Sequence, residues 1–109
     1  MTNRIVADAA QAAFRVRDAA HPRAFRHAVD GFVQVLATVP DESAGAVSAD
    51  GIRTLQTLGQ DVIDRIEERV AGMGKSGDAQ ELVGDVYEIR RLLEEAGRWR
   101  QHYAIARHV

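Results

Sequence analysis

The sequence predicts an all-α fold, an antiparallel bundle of four helices, or of three if the first two merge around Pro22. Three observations carry that reading. Apolar residues recur with helical period in four segments. Breaks containing proline or glycine separate those segments. The apolar part of the chain is also dominated by small side chains, with 18 Ala and 12 Val against only six Leu and six Ile. Small residues let helices approach closely but bury little area each. A thin core, completed by a second copy of the chain, is therefore expected. The 109 residues make a single helical domain spanning positions 1–109.

The first segment is predicted over Thr2–Ala20, with Thr2 as N-cap. Its apolar positions are Ile5, Val6, Ala9, Ala13 and Val16, and Phe14 lies to one side. His21-Pro22 ends it, because the residue before a proline is pushed out of the α region. Pro22 also suits the first turn of the next helix. That second segment runs to Val39 along Phe25, Ala28, Val29, Phe32, Val33, Leu36 and Val39. The β-branched run 32–39 would also suit a strand. Helix is preferred because the apolar face continues back to Phe25 without a phase break, and no second strand is available to pair.

Pro40 to Gly45 reads as a loop. The third helix is expected to start at Ser48 or Asp50, either of which can cap it. Ile52, Leu55, Val62, Ile66 and Val70 mark its inner side, with a skipped turn at Leu58-Gly59. Asp61, Asp64 and Glu68, interleaved with Arg65 and Arg69, read as a solvated, salt-bridged face. Gly72 is expected to take the left-handed conformation that ends many helices. Asp78 then caps the fourth helix, with Glu81 in capping-box spacing. Leu82, Val86, Ile89, Leu93 and Ala96 form its stripe, widened by Leu92, Trp99 and Tyr103. Arg91–Glu95 and Glu94–Arg98 are spaced to pair at i,i+4. This helix is long enough for its end to project beyond its neighbours.

Composition and charge narrow the function. Cysteine is absent, which excludes thiol catalysis, a disulfide scaffold and cysteine-ligated metals. No apolar run reaches the ~20 residues needed to span a bilayer, and the N-terminal segment lacks the apolar stretch of a secretory signal. A cytoplasmic location is expected. The net charge of −2 conceals a segregated distribution. Residues 41–87 hold ten acids against four bases, whereas no acid follows Glu95.

Several patterns bear on chemistry. Gly72-Met73-Gly74-Lys75-Ser76 contains the Gly-Lys-Ser of a phosphate-binding loop, but Arg69 stands where the first glycine belongs and a helix precedes it. No His/carboxylate pairing across helical stripes has metal-ligand spacing. His27, Val29 and Gly31 lie in a segment that resembles part of the pattern of histidine-phosphotransfer domains, with Asp30 where that family usually has lysine. The resemblance implies a helical bundle with His27 as an exposed phosphoacceptor.

The basic aromatic end of the fourth helix is the main candidate site. Arg98, Trp99, Arg100, His102, Tyr103 and Arg107 offer charge and ring faces without a neighbouring acid. The expectation is a non-catalytic, homo-oligomeric interaction module that docks a protein partner through this end, with no cofactor, metal or membrane role. Two further readings stand beside it. One is a nucleic-acid-associated accessory subunit, with the arginines on phosphates and Trp99 or Tyr103 stacked on bases. The other is phosphotransfer at His27.

Overall fold

The computed structural model describes residues 4–38, 49–74 and 76–107, with the side chains of 99–107 outside the description. The secondary structure of the described residues consists of four helices: α1 (Arg4–Asp18), α2 (Pro22–Ala37), α3 (Ala49–Ala71) and α4 (Gly77–Arg107). The proline break falls as expected. His21 has extended backbone (φ −80°, ψ 136°), its side chain accepts from the Arg23 amide, and Pro22 opens α2. The run from Phe32 to Ala37 is helix, which settles the strand alternative there. Thr2, Ser48 and Val39 lie outside the described residues.

Two expected caps are corrected. Ser76 Oγ accepts from the Ala79 amide at 3.1 Å, so Ser76 caps α4. Asp78 lies inside the first turn, and its carboxylate accepts instead from Arg26 of α2 at 2.8 Å. Asp50 is likewise the second residue of α3 rather than its cap. Gly74, and not Gly72, has positive φ (67°) in the α3–α4 connection. Gly72 stays close to helical geometry and its amide still bonds Arg69 O at 3.2 Å.

In the packing, α1 lies against α2 and α3, and α4 lies against α3 and α2. The core is wholly apolar among the described residues. Phe32, Leu36, Leu55, Ile63, Ile66 and Ile89 are its largest fully buried side chains. α1 contributes mainly Ala9, Ala12 and Ala13, flanked by Ile5 and Val16. Its contribution through area is correspondingly small, since a large buried side chain supplies about 1.5–3 kcal/mol and an alanine far less.

The α4 stripe is buried as expected at Leu82, Val86, Ile89 and Ala96, and differs from the sequence reading at one position. Leu92 is buried, and Leu93 is only half-buried. The cause sits on α3. Gly59 occupies the skipped turn, and a β-carbon there would overlap Leu93 Cδ1. Leu93 thus fills the seam over Gly59, while Leu92 turns inward beside Ile89.

Polar contacts tie the ends together. The Arg69 guanidinium donates to the carbonyls of Ala19 (2.7 Å) and Ala20 (3.1 Å) and stacks 4.3 Å above the Phe25 ring. It satisfies carbonyls left over where α1 ends. The salt bridges expected along this face of α3 do not form among the described residues, and Arg69 turns instead to α1. None of Asp61, Asp64 and Glu68 pairs with Arg65 or Arg69 among the described residues; Asp64 accepts from Gln60 at 2.9 Å.

Candidate functional site

The end of α4 continues as helix to Arg107, so Trp99, Arg100, His102, Tyr103 and Arg107 share one continuous helical backbone with Arg98. The side chains of Trp99, Arg100, His102, Tyr103 and Arg107 lie outside the described residues. Arg98 is exposed, and its guanidinium donates to Glu94 at 2.7 Å. This is the expected i,i+4 pair, and it matches part of the basic charge at the start of the end segment. One turn earlier, Arg91 bridges Glu88 (2.6 Å) and Glu95 (3.0 Å). Its hydrogen bond holds the Glu88 carboxyl below the usual carboxylate range.

His27 is exposed on α2. It faces an open groove of about 520 Å³ along the α1–α2 seam, bordered by Asp8, Arg15 and Asp18 and floored by Ala12, Ala28 and Gly31. Alanines from both helices and Gly31 of α2 form its floor.

Two surface features were not anticipated from the sequence. The first is an acidic strip where α2 meets α4. Arg26 of α2 bridges Asp78 and Glu81. Asp85 lies further along α4, with Asp30 of α2 near enough to act on its charge. Partial burial first, and then Asp30, push the Asp85 carboxyl above the ordinary aspartate value; Arg26 opposes them and Glu88 adds to them. One arginine thus serves three carboxylates of α4. Among the described residues, no group of three or more His, Asp or Glu is arranged to hold a metal ion.

The second is an apolar groove of about 300 Å³ between α3 and α4. Ile66 and Val86 form its floor, and Val70, Val83 and Tyr87 its walls. Val83 is 41% and Tyr87 67% exposed. Glu67 and Arg90 stand at its rim, 3.4 Å apart. A sequence signal for this groove did exist. Val83 and Tyr87 are an i,i+4 apolar pair lying off the Leu82–Val86–Ile89 stripe, and a pair off the stripe faces out.

No described helix is long and apolar enough to cross a membrane. Comparison with known proteins finds no matching family model, curated protein or solved structure.

Proposed function

We propose that this chain is a non-catalytic, cytoplasmic helical interaction module that self-associates and docks a protein partner through the basic end of α4. Its helices are taken as two antiparallel hairpins, α1–α2 and α3–α4, packed side by side. The observation that carries the reading is the unequal reach of α2 and α4. The Arg26 bridge to Asp78 and Glu81 holds these helices level near their starts. From Arg26, α2 has eleven residues left; from Glu81, α4 has twenty-six. At 1.5 Å per residue that difference is roughly 22 Å of helix past α2, while past α3, level with α4 at Gly59 and Leu93, it is about four residues. The long axis of the molecule, 52 Å, is in keeping with so long an α4. An end without acids after Glu95 suits a partner surface of opposite charge.

The test is the triple variant Arg98→Gln, Arg100→Gln, Arg107→Gln. Folding and self-association should persist. Capture of partner protein by the immobilised chain should fall and lose its salt dependence, since exposed charges act through screened attraction. Unchanged capture overturns the docking role. A salt-sensitive gel shift with nucleic acid, lost in the same variant, replaces the protein partner by a polyanion.

A further inference from the structure

We infer that the α3–α4 groove is a two-fold contact between two copies of this chain, laid seam to seam so that α3 of each covers α4 of the other. The inference rests on the self-association in the proposed function and names its surface. The second copy is singled out by charge. Glu67 on α3 and Arg90 on α4 face each other across the groove at one level, both more than half exposed. A two-fold axis along the seam exchanges α3 and α4 without changing level. It therefore sets Glu67 of each copy against Arg90 of the other, twice over. A two-fold contact needs such a self-complementary patch.

The same operation lays Tyr87 and Val83 over the α3 side of the opposite groove, where Ile66 and Val70 lie. Tyr87 supplies a large ring that is 67% exposed among the described residues. Aromatic side chains of this kind dominate interface energetics.

Two other faces fit a second copy less well. The α2–α4 strip, with Asp30, Asp78, Glu81 and Asp85 around one arginine, would set like charges against each other across a two-fold. Phe14, 62% exposed on α1, has Arg15 and Arg17 as sequence neighbours rather than an apolar surround.

The experiment is sedimentation equilibrium at micromolar concentration, with circular dichroism confirming that each variant keeps its helicity. The unsubstituted chain should be a dimer, and Tyr87→Glu should weaken it about 30-fold or more, the scale of an interface hot spot. Glu67→Arg and Arg90→Glu should each weaken the homodimer, and an equimolar mixture of these two variants should regain it as a heterodimer. That recovery cannot come from the pair within one chain. A dimer that survives Tyr87→Glu, or two charge variants that fail to rescue each other, overturns this surface and leaves self-association standing. A monomeric unsubstituted chain overturns both.

Discussion

Leu93 of α4 lies directly over Gly59 of α3, close enough that a β-carbon on residue 59 would overlap its Cδ1 atom. Beyond Leu93 itself, the next residue is Ile89, whose Cγ2 lies 3.5 Å from the same point. The missing side chain on one helix is thus filled by a side chain from the other. Leu93 is held in place by that gap without being fully buried.

The pair predicts non-additive stability. Gly59→Ala brings a helix-propensity gain of about 1 kcal/mol, which displacement of Leu93 offsets. In a Leu93→Ala background the overlap is gone, so the same Gly59→Ala should stabilise by about 1 kcal/mol. Urea unfolding of the two single variants and the double variant measures the coupling, expected at about 0.5–3 kcal/mol. Fully buried Ile89 sets the scale: Ile89→Ala should cost about 2–5 kcal/mol, and Leu93→Ala clearly less. Equal losses at 89 and 93 would contradict the packing described.

Arg69 should tolerate no replacement of its fork. It spans two carbonyls and a ring at once, a geometry that the point charge of lysine cannot match. Arg69→Lys is expected to lose up to about 1.5–3 kcal/mol, the scale of a hydrogen bond to a charged group. The loss should appear as earlier amide exchange around residues 16–22, where α1 ends. A lysine variant as stable and as protected as the original chain would reduce the contact to a surface decoration.

Asp85 gives the α2–α4 contact a pH dependence of defined sign. Its carboxyl is raised in the folded chain by burial and by Asp30. The folded state therefore holds a proton that the unfolded state has already released, and stability falls as pH rises from the ordinary aspartate value through the raised one. Glu88 runs the other way: its carboxyl is lowered by Arg91, so its contribution fades as pH falls. Asp85→Asn should raise the melting temperature at neutral pH and flatten the decline above the ordinary aspartate range. Glu88→Gln should leave most of that decline in place, since Glu88 is the smallest of the groups acting on Asp85. A melting curve of Asp85→Asn that follows the unsubstituted chain at every pH would remove Asp85 from the contact.

Much of the fold was legible in local chemistry. Pro22 dictated the α1–α2 break because a proline constrains its predecessor whatever surrounds it. The face from Phe25 to Leu36 declared a helix through its period, and the structure buries Phe25, Ala28, Val29, Phe32 and Leu36 of it. The i,i+4 pairs Arg91–Glu95 and Glu94–Arg98 formed as spaced, because both partners ride on one helix.

Tertiary structure decided what two helices must agree on. Leu92 and Leu93 are equivalent to a local reading, and only the gap at Gly59 sends one inward and the other to the seam. Asp78 had the spacing of a cap, but Arg26 arrives from α2 to claim it, and Ser76 takes the capping role instead. Arg69 left its own helix's acids for the carbonyls at the end of α1. The groove beside Tyr87 exists only because α3 and α4 meet there. Periodicity determines which side of a helix is apolar. Which of those side chains is covered, and by what, depends on a neighbour distant in sequence, because burial and charge pairing are properties of the contact rather than of either helix alone.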